Sequence, residues 1–513
     1  MKLGTILLCT ILSTTASAAT PELKQLLHET KVAVAQSQDA AVYYNEEYLI
    51  PHVLREHDLQ RTQWRTNLTV TNTGDEDADI VLTYKSLSGE QKTIQRSAPA
   101  PGKSVQYNDV LMKLFDVRQA EGCMTIDVQP DNRNIVFSAT TTSKGYWQET
   151  PIVNLDTVAF GVSYVPLEPK QASSQASSDA NTSIQGARIG VHNTGTDSTI
   201  TVAIIDPAGY TIAHNRYDAI SVEHFVVDVE KEFGIDVIDG MYAVIYDYDA
   251  YVDKRTDVRQ YAYALSENAN DKQLIAAQNI FRESGWHAIL NVCDDTNATT
   301  TVTTINPWTL ETKLYPTYWL NEQNNVMNTP LRLPPYNLFA GEAMNMSDIP
   351  SLFFQTSCAT FTVATHRPSL VFAKDQHKNG SYAVAVPQNV QMSVSAQPGR
   401  YVINDVYNEI VYALHDERSY EKAAIALFSS SFFSQDVRIN IHEQNSTLLS
   451  STDHIILPYS GIAKTIQELC SCTLKNGYVV IENNSAVPTT IFSEVISTRN
   501  HDAIRKQGIK IPQ

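Results

Sequence analysis

Clustered carboxylates are the first residues here with a chemistry to offer. Asp75, Asp77 and Asp79 follow the turn Asn72-Thr73-Gly74, and Asp247, Asp249 and Asp253 lie in a tyrosine-rich stretch. Loops of this kind can wrap Ca²⁺, which takes about six to eight oxygen ligands, and Ca²⁺ is the one cofactor the sequence raises. Neither set has EF-hand spacing, so a solvated acidic turn explains each as well. Trp308, Tyr315, Tyr318 and Trp319 crowd together, and exposed flat rings stack on sugars or on a protein partner. In Tyr315-Pro316-Thr317-Tyr318-Trp319 both faces of a strand would carry rings, so about half of them belong to a core.

The thirteen histidines are scattered. His28, His52, His57, His224 and His377 show neither metal-ligand nor catalytic spacing, and read as solvated or singly bonded. The sequence contains no G-x-S-x-G, no H-E-x-x-H and no Gly-rich phosphate loop, so no catalytic residue is assigned and an enzyme is not expected.

The elements that would position these residues start after a leader. Met1 to Ala19 carries Lys2, an apolar run from Leu3 to Leu12 and small residues from Ala16 to Ala19, the layout of a secretory signal peptide over residues 1–18 cleaved near Ala18. A membrane span needs about 20 apolar residues, and no segment of the mature chain reaches that length. The expected location is secreted, periplasmic or cell-surface. Export retains disulfides, and loss of Cys9 leaves Cys123, Cys293, Cys358, Cys470 and Cys472, an odd number with at least one unpaired thiol. Cys293 ends a long strand, so a bridge to Cys358 is compatible with the sequence without being deducible from it. Cys470 and Cys472 read as small core fillers or a local bridge, since no second ligand pair at zinc spacing accompanies them.

With 513 residues, 43% of them apolar and 18% charged, the chain can bury several cores. Its net charge of -18 argues against a bulk electrostatic grip on nucleic acid or anionic lipid. Self-similarity organises the rest. Val70-Thr-Asn72-Thr-Gly74 followed by Gly89 returns as Val191-His-Asn193-Thr-Gly195 followed by Gly209. Gly122-Cys123-Met-Thr125-Ile126 and Val136-Phe137 return as Ser357-Cys358-Ala-Thr360-Phe361 and Val371-Phe372, and Gly477-Tyr-Val479-Val-Ile481 supplies a fourth instance. Within an instance the period is two, as at Ile80, Leu82 and Tyr84, which marks half-buried antiparallel strands. The glycines of Asn-Thr-Gly and Ser88-Gly89 are expected to make the turns through positive φ. Asn108 or Asp109 is expected to cap a short helix carrying Leu111, Leu114 and Phe115. The implied fold class is all-β: an N-terminal helix within 19–40, centred on 20–37, then four antiparallel β-sandwich units over 41–156, 157–270, 271–390 and 391–513. The Ser/Ala/Gln stretch Gln171 to Gln185 reads as an expanded loop inside the second unit.

The Asn-Thr-Gly turns, the Pro101-Gly102 before a capped short helix and the Gly-x-Met/Val strand resemble the tandem immunoglobulin-like β-sandwich repeats of bacterial secreted and surface proteins. The resemblance implies an exported, non-enzymatic structural or interaction protein, a spacer or adhesion element whose partner is a protein or glycan at the cell surface, with self-association open. A carbohydrate-binding array using the aromatics of the third unit is the alternative. Units stacked end to end, each about 35 Å long, would make a rod of roughly 140 Å.

Overall fold

The computed structural model describes residues 47–57, 63–129, 134–143, 146–155, 162–169, 186–220, 223–247, 260–267, 272–279, 286–293, 298–320, 330–332, 334–346, 358–377, 382–385, 388–389, 399–406, 420–429, 434–457, 461–472, 474, 476–483, 489–497, 503–507 and 509–511. The expected signal peptide, the expected N-terminal helix and the expected loop 171–185 lie outside the described residues.

The protein is all-β. Its strands form antiparallel sheets, joined by short helices at Val110–Phe115, Val229–Phe233 and Ile466–Cys470. Between residues 162 and 279 a five-stranded sheet runs in the order Thr211–Ala219, Ser198–Ile205, Tyr242–Asp247, Val162–Pro166, Gln278–Asn279. A four-stranded sheet, His224–Asp228, Arg188–Asn193, Gln260–Glu267, Lys272–Ala276, accompanies it. In chain order the first sheet is therefore fourth, third, sixth, first, ninth, and the second is fifth, second, seventh, eighth. The same order recurs over 286–389, leaving aside the extra strand Tyr336–Leu338, and over 399–511. Over 47–155 the neighbours are again the same, but the hairpin pairing Arg55 with Arg65 fuses both sheets into one of nine strands.

Each pair of sheets encloses apolar side chains, as alternation requires. Leu68, Val70, Ile80, Leu82, Tyr84, Met124 and Ile126 fill the first, and Ile439, Ile441, Ile466, Leu469, Val479 and Ile481 the fourth. The helix Val110–Phe115 is capped by Asp109, whose carboxylate accepts from Met112 N–H, and it buries Leu111 and Phe115. The Asn-Thr-Gly turns work differently from the expectation. Gly74 and Gly195 are not among the positive-φ glycines, whereas Gly89 and Gly209 are. The asparagine carries the turn instead: buried Asn193 accepts from Gly195 N–H through Oδ1 and donates from Nδ2 to the carbonyls of Thr196, Ala219 and Ile220. Asn306 makes the same tie to three carbonyls, and Asn72 a similar one to two, those of Glu76 and Pro99.

The end-to-end rod is overturned. The strands Tyr146–Thr150, Lys272–Ala276, Tyr382–Ala385 and Ala503–Gln507, one from each segment, meet: each touches the next, and the last touches the first. The fourth segment also reaches the first through Ser104 N–H to Gln444 O at 2.9 Å and Tyr478 OH to Gly102 O at 2.7 Å. Apolar outward faces contribute to this closure: Val136 packs with Val402, Tyr478 and Val480, and Ile305, Leu370 and Phe372 join the second segment's core. Small-angle scattering on the protein is expected to give a radius of gyration near the roughly 23 Å of a compact body of this size, and not the roughly 40 Å of the rod. A value above about 30 Å would refute the ring.

Candidate functional site

The seams between segments are where polar chemistry collects. Along Arg188–Asn193 the side chains of Ile189 and Val191 enter the segment's own core, so Arg188, Gly190 and His192 point from the opposite face. Ala262 and Ala264 likewise face that core, which leaves Tyr261, Tyr263 and Leu265 on the outer side. Yet Tyr263 and His192 are fully buried. The first segment covers them, with His52, Lys85, Glu121 and Cys123.

In this seam Arg188 Nη1 lies 3.1 Å from Glu121 Oε1, and His52 Nε2 lies 3.0 Å from the same oxygen. His224 Nε2 and Tyr263 OH are 2.7 Å apart, and the rings of His192 and His224 stand at 6.1 Å between centroids. Gly190 makes room: a Cβ there would sit 2.0 Å from Tyr263 Cζ. Burial holds the imidazoles below the ordinary histidine range, His192 at about 4, helped by Lys85, and His224 at about 3, helped by His192, His52 and Lys85 against the opposing pull of Glu121. Burial pushes the Cys123 thiol up to about 12. At neutral pH both imidazoles are therefore uncharged, and the thiol is a poor nucleophile.

The other seams use different residues at matching places. Tyr242 OH donates to Gly341 O and Tyr478 OH to Gly102 O, each at 2.7 Å. Lys374 and Glu168 form an ion pair between the second and third segments, and Gln278 bonds both main-chain groups of Val371. Val136, Val402, Tyr478 and Val480 make the apolar seam from fourth to first.

The residues singled out from sequence fall elsewhere. His52 and His224 are buried strand residues and not loop or helix residues, and of the two roles expected they take the singly bonded one, with Glu121 and Tyr263 as partners; a face covered by another segment leaves no local mark on the sequence. The side chains of His57 and His377, and all of His28, lie outside the described residues. Asp75 and Asp77 are exposed, and Asp79 accepts from Gln95 Nε2 at 3.2 Å. Asp247 is buried, while Asp249 and Asp253 lie outside the described residues. Among the described residues no group of three or more His, Cys, Asp or Glu could hold a metal ion, so the fold does not gather Asp75, Asp77 and Asp79 into a Ca²⁺ site. Trp308 packs against the second segment's core and donates from Nε1 to Pro368 O, so it is not a free platform. Tyr315 is exposed and meets His366 edge to face, with OH 2.8 Å from Nε2. The side chains of Tyr318 and Trp319 lie outside the described residues. Sequence reasoning missed Glu121, Arg188, His192 and Tyr263 altogether.

The backbone register sets Cys293 opposite Cys358 on neighbouring antiparallel strands. Directly opposed residues have Cα atoms about 4.5–5.5 Å apart, within disulfide reach. Cys470 and Cys472 are bonded, and Cys123 is free and buried. Alkylation followed by mass spectrometry is expected to label no thiol in the native mature protein and Cys123 alone after denaturation without reductant. Labelling at Cys293 or Cys358 would rule out their bridge.

No family model and no curated protein matches this chain. The class that fold and site define is an all-β protein of packed antiparallel sheets whose polar clusters are interior. No helix among the described residues is long and apolar enough to cross a membrane.

Proposed function

We propose that the chain is four tandem β-sandwich units of immunoglobulin-like kind, exported behind a cleaved signal peptide, and that it acts as a non-enzymatic interaction element at a cell surface or in the periplasm. One observation carries this reading: among the described residues, the edges of the sheet orders remote from the central strands are unpaired. Among the described residues Thr211–Ala219 and Leu448–Ile456 each pair on one side only, and they carry or flank exposed Ile212, Ile220, Leu448 and Ile455, the last 65% exposed. Free edges and exposed apolar side chains are what a partner strand or surface takes up. A spacer role loses its physical motive once the segments close on one another.

Labelled mature protein is expected to bind saturably to the envelope of the exporting host. The pair Leu448→Glu and Ile455→Glu is expected to weaken that binding about tenfold or more, with the circular dichroism spectrum unchanged. Absence of saturable binding, or binding indifferent to substitutions on both edges, would sink the reading.

A further inference from the structure

The seam between the first and second segments contains more imidazole than its surroundings can charge. His192 is 1% exposed, and neither of its ring nitrogens has a hydrogen-bond partner among the described residues. His224 is 6% exposed, with Nε2 engaged by Tyr263 and Nδ1 without a partner among the described residues. Facing them from the first segment are His52 on Glu47–His57, Lys85 on Asp79–Ser86, and Glu121 with Cys123 on Ala120–Gln129. From the second come Arg188 on the strand of His192 itself, and Tyr261 and Tyr263 on Gln260–Glu267. Glu121 is the one carboxylate among these groups, and it already holds Arg188 and His52.

We propose that this seam is an acid-operated latch: protonation of His192 and His224 parts the first segment from the second and opens the ring. A proton added to either ring creates a buried cation without a carboxylate of its own, in the field of the Lys85 cation. Burying such a charge is costly, and the structure relieves it by admitting water to the two outer faces. Each segment retains its own enclosed core, so the sheets survive the parting. The sign follows from burial. Both rings titrate below the ordinary value of 6.5 while the seam is closed. The open form then binds more protons, and the latch weakens as pH falls from about 6.5 towards about 4. The seam from fourth to first is built on valines and Tyr478 and lacks an equivalent fully buried histidine pair among the described residues.

Cys123, free and buried on the same face, reports the opening. Its rate of labelling by 4,4′-dithiodipyridine, divided by that of a cysteine peptide at the same pH, is measured on the full mature chain at pH 7.5 and pH 5, with the site confirmed by peptide mapping. Protection is expected to fall on the order of 30-fold for each titrating histidine, with the circular dichroism spectrum retained. The double variant His192→Phe with His224→Phe is expected to abolish the pH dependence. Should it fail to fold, His192→Gln alone should remove about one of the two 30-fold factors. Unchanged protection at pH 5, loss of protection only together with loss of β-structure, or a pH dependence that survives in the folded variants would each overturn the latch.

Discussion

Replacement of Glu121 with alanine is expected to destabilise the folded ring by about 3–5 kcal/mol, because it removes one partner of an ion pair buried between two segments. Arg188 and Glu121 come from different segments, and their side chains are 11% and 24% exposed. Solvent therefore screens the pair only in part. The pair itself adds little net stability, since both groups surrendered hydration to enter the seam; the damage comes from removing the carboxylate that faces Arg188 and His52 there. The double variant Glu121→Leu with Arg188→Met is accordingly expected to recover most of the loss, within about 1–2 kcal/mol of the natural protein. Urea unfolding of the full chain measures both. A single-variant loss below about 1 kcal/mol would show that the seam is wet and its charges solvated.

The local elements were legible because their causes are local. Alternation at Ile80, Leu82 and Tyr84 marks a strand with one face inward, and the helix carrying Leu111 and Phe115 begins where Asp109 supplies an acceptor for Met112. The seam was not legible in the same way. His192 sits between Val191 and Asn193 in an ordinary strand, and nothing nearby says that its outer face is buried towards another segment, with Lys85 close by. A signal did exist at the level of pattern. Val202-Ala203-Ile204-Ile205, Tyr242-Ala243-Val244-Ile245 and Tyr478-Val479-Val480-Ile481 are unbroken apolar runs, and every residue in them is buried. Strands that face water on one side alternate, so unbroken runs mean burial on both faces. Read that way, the runs exclude a rod of separate sandwiches and require lateral packing. What they do not disclose is which segment covers which, because any apolar face can serve any other; the specificity lies in single pairs such as Arg188 with Glu121 and Lys374 with Glu168.

The Asn-Thr-Gly turn shows the complementary case, a motif plain in the sequence whose geometry depends on its asparagine and not on its glycine. Its glycine has no special φ, so the expected cost of change lies with the asparagine. Asn193 is fully buried, and its amide donates to Thr196 O at 2.8 Å and to Ala219 and Ile220 O at 3.2 Å while accepting from Gly195 N–H at 3.0 Å. Asn193→Ala leaves several interior main-chain groups without a partner, at about 1–3 kcal/mol for each group that water cannot reach, so a total of about 3 kcal/mol or more is expected in urea unfolding. Asn193→Asp separates the two halves of the amide. It preserves the acceptor for Gly195 and with it the tight turn, but it places a carboxylate against three carbonyl oxygens. If the donor side ties the turn to the loop at Ala219 and Ile220, the aspartate variant is at least as unstable as the alanine variant at neutral pH. It then recovers part of the loss on acidification, as the carboxyl gains a proton to donate. Full stability of Asn193→Asp at pH 7 would show instead that the motif is only a turn, and that the two loops are held by something other than this side chain.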